Sequence, residues 1–394
     1  MTEAFCILIH YHEIALKGKN RSWFERRLIK NIKRQLSGLP FTKVQLNAAR
    51  IFCFGIDESM WNDYAQRLKK VMGIKHAILM TQVKDDIDTI KSVAAAQLKG
   101  LEFSSFRVSA RRQYKDFHLS SQEINIMVGQ HLQSTYLKPV KLKNADMDVV
   151  IELVKGMAYI GHERIYGFGG LPVKTSEQAI SMISSGIDSP VSSFEMLKRG
   201  VELTYVHFHS SPATSRQSIQ NVEEILTVLA GFQIQCRVYM VPLLEIQQKI
   251  MAVAPNKLWV ILFRRAMIKI ASMIAEQLDI PALISGESVG QVASQTLSNI
   301  RATADAADRP ILRPLAGLNK EDIIRIAEKI GTYEISIEPY DDCCSFFVPI
   351  HPETKADLKI VRKTEANIDF GKMFATALKD TEIKTFEHPD YVRK

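Results

Sequence analysis

Apolar side chains return every fourth residue at Phe24, Leu28, Ile32 and Leu36, which predicts an amphipathic helix from a cap at Asn20 to about Leu36. Arg26, Arg27, Lys30, Lys33 and Arg34 fill its other faces, with Glu25 the only acid. Phe5 to Ile9 and Val44 to Phe54 carry the β-branched and aromatic runs of strands, and Met60 to Val71 is helical again. The order β-α-β-β-α-β suits a ferredoxin-like unit over residues 1–74. A second unit, 75–167, reads as strand Ala77 to Val83, helix Ile87 to Leu98 ended by Gly100, strand Phe106 to Arg112, a helix from the Ser120/Glu123 capping box to about Tyr136, and a hairpin of Val149 to Val154 and Met157 to Ile165. Gly167-Phe168-Gly169-Gly170-Leu171-Pro172 is a linker by composition. From 168 to 394 the period switches repeatedly. Ala179 to Ile183, Leu203 to Phe208, Ile234 to Val241 and Ile280 to Ile284 read as strands. Helices lie between them at Pro190 to Arg199, Ser215 to Ala230 and Leu244 to about Leu278. That rhythm predicts a parallel, doubly wound sheet with ligands beyond the C-terminal strand ends. The expected class is therefore α/β and α+β, multidomain.

Composition narrows the partners. A chain of 394 residues exceeds one core, and its net charge of +8 suits a polyanion. Five irregularly spaced cysteines are no disulfide framework and fit a reducing cytoplasm. No apolar run reaches the ~18 residues that span a membrane, and the N-terminus has no signal-peptide pattern. His10 and His12 alternate beside Glu13 without the third and fourth ligands a metal site needs, so they read as ordinary strand histidines.

The candidate chemistry centres on Met182-Ile183-Ser184-Ser185-Gly186-Ile187-Asp188-Ser189-Pro190, a strand end, a tight turn and a helix start. Pro190 suits the first helical position, Ser189 or Asp188 can cap, and Gly200 can end the helix. Such a turn aims N–H groups and hydroxyls at one point, an anion site. No Lys-Ser or Lys-Thr follows the glycine, so it is not a G-x-x-x-x-G-K-[ST] loop. Two further strand ends, His207-Phe208 and Ser285-Gly286-Glu287, converge on the same crevice. Ser184, Ser185, Gly186 and Ser189 offer donors, Asp188 suits Mg²⁺, backbone at Met182, Ile183, His207 and Phe208 can frame an adenine, and Arg264 and Arg265 can neutralise phosphate. Lys320 follows the cap Asn319 at a helix start, where its charge is unfavourable unless an anion sits nearby. Cys343 and Cys344, after Asp341 and Asp342, are either small buried residues or a reactive thiol; the aspartates would raise a thiol pKa. The clustered Arg107, Arg111, Arg112 and Lys115 read as surface charge or as an RNA contact that senses phosphates and shape.

Several segments carry a family resemblance. S-S-G-I-D-S-P-V resembles the S-G-G-x-D-S pyrophosphate loop of the PP-loop ATPases, and G-E-S-V-G-Q-V-A-S-Q-T at 286–296 nearly repeats a segment of the ATP-dependent tRNA sulfurtransferases, or tRNA 4-thiouridine synthetases. L-K-G-K-N-R at 16–21 resembles the start of that family's N-terminal ferredoxin-like domain; R-V-S-A-R-R at 107–112 and S-Q-E-I-N at 121–125 resemble its THUMP domain. The resemblance covers the whole chain. It implies ATP contacts at Met182, Ile183, His207, Phe208, Arg264, Gly286 and Gln295, tRNA contacts that include Lys17, Lys19 and Arg21, and activation of the substrate by Lys320 with Asp188 in the loop. It also implies sulfur transfer at Cys344, or alternatively Cys343. The implied reaction adenylates O4 of uridine at position 8 of tRNA and replaces AMP with persulfide sulfur. ATP and Mg²⁺ are the expected cofactors, and a homodimer is allowed. The end at Lys394 leaves no room for a rhodanese domain, so a separate persulfide donor such as a cysteine desulfurase is expected and a thiazole-synthesis role is not.

The chain departs from the family loop at Ser185, where a glycine is usual. At positive φ a serine would cost about 1–2 kcal/mol and crowd the phosphate; at negative φ its hydroxyl adds a donor. A tRNA-binding protein with an impaired loop is the alternative function, and a PP-loop enzyme acting on a small molecule is a third.

Overall fold

Strict alternation in strand β1 (Ala4–Tyr11) organises the first half of the molecule: Ile7 and Ile9 point to one core, Cys6 and Leu8 to another, and all four are fully buried. The computed structural model describes residues 4–47, 49–114, 117–154, 156–339, 347 and 352–388. It divides into two compact units, Met1–Leu171 and Pro172–Tyr391.

In the first unit β1 is followed by α1 (Arg21–Gln35), β2 (Lys43–Asn47), β3 (Arg50–Phe54), α2 (Trp61–Lys69), β4 (Ile74–Lys84), α3 (Ile87–Leu98), β5 (Phe106–Arg112), α4 (Ser121–Tyr136), β6 (Met147–Val154), β7 (Met157–Gly161) and β8 (Arg164–Tyr166). Among the described residues the strands form one sheet, ordered β2-β3-β1-β4-β7-β6-β5, with β8 also on β4. Strand β4 pairs with β1, β7 and β8, so it belongs to both predicted N-terminal modules. Helices α1 and α2 cover one apolar cluster (Ile9, Leu28, Ile32, Tyr64), and α3 and α4 cover a second (Ile90, Phe106, Ile124, Ile151). The opposite sheet face holds Cys6, Leu8, Phe52, Ile78, Val150 and Tyr159 in a core of its own. The sheet curls around it: Arg50 Nε on β3 reaches Glu152 Oε1 on β6 at 3.1 Å, with three strands between.

Local rules explain the matches. The Ser120/Glu123 capping box is present in both directions, and Asp86 caps α3 by accepting from Thr89 N. Asn20 holds the N-cap position of α1 but makes no side-chain cap bond, because a 3-10 turn (Gly18–Asn20) runs straight into the helix.

The second unit runs β9 (Gln178–Met182), α5 (Asp188–Lys198), β10 (Glu202–His209), α6 (Gln217–Gln233), β11 (Gln235–Pro242), α7 (Leu244–Val253), α8 (Trp259–Gln277), β12 (Leu283–Ile284), α9 (Leu297–Ala304), β13 (Ile311–Leu312), α10 (Lys320–Ile330), α11 (Tyr333–Ser336), α12 (Leu358–Ala366), α13 (Gly371–Lys379) and β14 (Glu382–Glu387). Its sheet order is β13-β12-β9-β10-β11-β14. The first five strands are parallel, and β14 joins antiparallel at the β11 edge. Strand order reverses at β9: β10 and β11 lie to one side, β12 and β13 to the other. The crevice beyond β9 and β12 is therefore the topological switch point. Buried Ile261, Leu262, Phe263, Ile270 and Ile274 of α8 form the middle of the core beneath it. Pro190 is the third residue of α5 rather than the first, and Asp188 and Ser189 are its first two residues rather than its caps.

Candidate functional site

The turn after β9 is folded back on itself by one hydroxyl. Ser189 Oγ accepts from Ser184 N at 2.8 Å, lies 3.0 Å from Ser184 Oγ and donates to Ser184 O at 3.1 Å. Its predicted donor is thus used to shape the loop. Ser193 Oγ donates to Ser189 O at 2.8 Å, and Ser192 Oγ donates to Ser285 O at 2.9 Å, which ties the loop's helix to the end of β12. No side chain caps α5, so its first-turn N–H groups remain open to an anion. Ser185 and Gly186 are not among the residues at positive φ. The strain weighed for serine at 185 is absent, and its hydroxyl is buried without a hydrogen-bond partner.

A cavity of about 240 Å³ opens at the switch point. Met182, Ile183, Ser184, Asp188, Ser189, His207, Phe208, Arg264, Gly286 and Gln295 all line it. Ser185, Gly186 and Lys320 are not in its wall. Met267, Ile268 and Ile311 also line it and give it an apolar side suited to a flat base. Gly286 is required by packing: a Cβ there would lie 2.8 Å from Ser189 N and 2.9 Å from Ser189 Cα. Burial pushes the His207 imidazole down to about 4, so the ring is neutral at pH 7. Its Nδ1 lies 3.0 Å from Ile183 O and donates to it, which leaves Nε2 as a buried acceptor with no partner.

Asp188 and Lys320, predicted separately, meet directly. Lys320 Nζ donates to Asp188 Oδ1 at 2.6 Å, and Gln291 Nε2 donates to Asp188 Oδ2 at 2.8 Å. The positive charge expected to conflict with the α10 start is answered by this carboxylate, while Asn319 caps the helix by accepting from Asp322 N at 2.9 Å. Arg265 is a correction. It is buried and bonded through Nε and Nη2 to Glu365 at 3.1 and 2.6 Å and through Nη1 to Asp305 at 3.0 Å, so it pins α8 to α9 and α12 instead of facing a phosphate. Arg264, one residue earlier, donates to Glu287 Oε1 at 2.8 Å, and Arg313 Nε donates to Glu287 Oε2 at 2.7 Å.

Gln291 and Arg313 are site residues that sequence reasoning did not single out, and it placed Glu287 at a strand end facing the crevice without giving it a role. Glu287 and Gln291 sit inside the unusually polar 286–296 segment; Arg313 follows a strand of two residues and had no local signal. Among the described residues no three His, Cys, Asp or Glu side chains converge as a metal cage. One carboxylate, Asp188, still fits Mg²⁺, which takes few protein ligands when phosphates and water supply the rest. Cys343 and Cys344 lie outside the described residues. Cys53 and Cys236 are buried, with thiols pushed up to about 12 by burial, and Cys6 is raised further by the same cause.

In the first unit, Arg21 is bound to Glu25 at 2.8 Å and to Tyr11, Arg107 to Asp148 at 2.6 Å, and Arg112 to Phe117 O at 2.9 Å. Lys17 Nζ lies 5.0 Å over the Phe24 ring; Lys19 and Arg111 are exposed, and Lys115 lies outside the described residues. On α1, Arg26, Arg27, Lys30, Lys33 and Arg34 have no ion-pair partner among the described residues.

The chain is similar to known proteins along its whole length. The family model described as thiamine biosynthesis protein (ThiI) matches residues 174–370, the ThiI ferredoxin-like domain matches 6–77, and the THUMP domain matches 84–163. A probable tRNA sulfurtransferase of Thermus thermophilus is 38% identical over 98% of this chain and 95% of its own length. One from Moorella thermoacetica is 40% identical over 97% of each. The crystal structure of a 4-thiouridine synthetase–RNA complex with bound ATP superimposes with a TM-score of 0.88 at 35% identity, covering 98% of this chain and all of that one.

Proposed function

The chain belongs to the ThiI family of tRNA sulfurtransferases, and from that premise we propose that it transfers sulfur to uridine 8 of tRNA, giving 4-thiouridine, in an ATP-dependent reaction. The observation that carries this reading is the cavity at the switch point, where the uncapped start of α5, Arg264 and the Asp188–Lys320 pair come together.

ATP would rest its base against the apolar wall and direct its phosphates to the α5 N–H groups, where the helix end favours negative charge. Uridine O4 attacks the α-phosphorus, and pyrophosphate departs from the loop. Lys320 needs only to exchange the Asp188 carboxylate for a phosphate oxygen to stabilise that charge in the transition state. Asp188, freed by the exchange, would hold Mg²⁺, which supplies charge neutralisation on the phosphates. The terminal sulfur of the persulfide then attacks C4 and AMP leaves. A second thiol attacks the carrier sulfur of the resulting S–S-linked adduct, so that the S–S bond breaks, a disulfide forms between the two thiols and 4-thiouridine is released. An external thiol reduces the disulfide for the next turnover. Cys344 is the proposed carrier of the persulfide, with Cys343 the alternate, and the sulfur comes from a separate donor such as a cysteine desulfurase. The exposed cations of α1, with Lys17, Lys19, Arg111 and Arg112, would meet the tRNA backbone. Among the described residues no helix is long and apolar enough to cross a membrane, and a cytoplasmic enzyme is the reading.

The test is direct. Purified protein with ATP, Mg²⁺ and unmodified tRNA should release pyrophosphate without any sulfur source, and should form near-UV-absorbing thiouridine when a persulfide donor is added. Tight tRNA binding with no pyrophosphate would select the impaired binder instead. That alternative rested on strain at Ser185, which the backbone there does not show.

A further inference from the structure

We propose that Glu287 is a positioning residue that sets Arg264 at the wall of the cavity, and that Arg313 is the third member of the same unit. The proposal rests on reading that cavity as the nucleotide site. Glu287 lies just past the end of β12 and itself lines the cavity, its side chain 11% exposed and both carboxylate oxygens engaged by arginines. Each carboxylate oxygen takes one guanidinium: Oε1 the Nη1 of Arg264 at 2.8 Å, Oε2 the Nε of Arg313 at 2.7 Å. Ser285 Oγ adds a third donor to Oε2 at 3.0 Å. Three elements therefore meet on one acid, since Arg264 comes from α8, Glu287 from the β12 end and Arg313 from the β13 end.

Charge arithmetic explains why two arginines are needed. Glu287 alone would fix Arg264 but cancel its charge, and a cavity meant for a polyphosphate would lose its positive potential. Adding Arg313 leaves the trio with one positive charge in excess, so Arg264 is held still and remains attractive to an anion. A guanidinium already fixed loses less freedom when the ligand arrives. Arg313 gains little for itself: its Nη1 reaches Ile311 O only at 3.3 Å, and its Nη2 is buried with no partner. A buried unpaired donor is a cost the fold tolerates for another reason. Here that reason is the grip on Glu287, beside Ile311 in the cavity wall.

The experiment is a mutant cycle on the full chain, read by calorimetry of ATP binding with Mg²⁺ and by the thermal midpoint. Glu287→Gln should weaken ATP binding about tenfold, the size of one lost charge-assisted hydrogen bond. In an Arg264→Met background the same change should have no further effect on ATP, because Glu287 acts through Arg264. Glu287→Asp keeps the charge but withdraws the carboxylate by one methylene, and should also weaken binding; it serves if Gln at 287 does not fold. Arg313→Met should weaken ATP binding on its own, since it removes the charge in excess. Tighter ATP binding by Glu287→Gln, wild-type affinity in Glu287→Asp, or losses that add fully across the cycle would each overturn the proposal, the last by showing a fold-wide effect. A wild-type protein that binds ATP but forms no thiouridine would sink the proposed function and leave the cycle decisive. A wild-type protein that binds no ATP would sink both.

Discussion

A single methyl group tests how the cavity is assembled. The missing Cβ of Gly286 would stand 2.8 Å from Ser189 N and 3.0 Å from Asp188 C, and both neighbours are backbone, which cannot rotate aside. Gly286→Ala should therefore push the loop away from the β12 end, costing about 1–3 kcal/mol of stability as overpacking does. ATP affinity should fall with it, and calorimetry of the variant next to its melting curve shows both. A variant that binds ATP as well as the wild type would mean the two loops need no close approach. Lys320 makes the opposite kind of prediction. Its side chain is 42% exposed, and exposed pairs contribute about 0–1 kcal/mol, so Lys320→Ala should melt almost as the wild type does. Its tRNA-dependent pyrophosphate release should nevertheless drop by about 10²–10³-fold, the loss seen when one donor to developing charge is removed. A large melting shift with activity retained would make the Asp188 pair structural. Ser185 shows the limit of reading one residue from its type: serine at a glycine position can mean strain or an added hydroxyl, and only the backbone angle decides.

At the scale of elements, α1 carries a sharp expectation. Arg26, Lys30 and Lys33 are exposed at spacings of four and three, which puts them on one stripe of the helix, opposite the buried Phe24, Leu28 and Ile32. Replacing the three with alanine should leave the fold intact and weaken tRNA binding. The slope of log K against log salt should flatten by roughly 0.7–0.9 for each phosphate that the helix no longer neutralises. An unchanged slope would remove α1 from the RNA surface. The same helix shows which parts of the fold could be read in advance. Elements with a long period and a marked end were legible: α3 lies between the Asp86 cap and Gly100 at φ +83°, and α4 opens on a reciprocal capping box. Strand β13 has two residues, too few for any period to show, whereas β12 was foreseen as a longer strand, Ile280 to Ile284, of which Leu283–Ile284 pairs. Strand β14 is a polar edge strand that only pairing with β11 defines. The site divides the same way. Its wall was legible because an alternating sheet puts ligands at strand ends. The bonds that hold the wall were not: Asp188 meets Lys320 across 132 residues and Gln291 across 103, and no local pattern encodes such a meeting.

For the whole molecule, acid should loosen what neutral pH holds. His10 and His76 stack at 4.4 Å within the curled sheet of the first unit. Burial pushes His10 down to about 3, helped by His76 and by Arg50, Arg111 and Arg164, and pushes His76 down to about 4, helped by Arg164, Lys75 and Arg111 against Asp148. His207 in the second unit is held at about 4, mainly by burial. Unfolded, each of these would titrate near 6.5. Between 6.5 and 4 the unfolded chain therefore binds more protons than the folded one, and stability must fall as pH falls through that window. Glu152, raised by burial, works in the other sense but is one group against five, since burial lowers His162 and His209 too. Below about 4 the histidine contribution runs out as the folded rings take up their protons, and Asp305, held down to about 2 by Arg362 and Arg265, carries the decline on as it begins to lose its advantage. The thermal midpoint should be level from pH 8 to 7 and drop steadily from 6.5 to 4.5. A His10→Gln/His76→Gln protein should show a shallower drop over the same range. Equal midpoints at pH 7.5 and 5 would mean these rings are not buried in neutral form. Since His207 stays neutral across the same range, a His207→Gln variant should show the same pH dependence of ATP affinity between pH 6 and 8 as the wild type, and a step near 6.5 that this variant loses would assign a charged imidazole to the cavity.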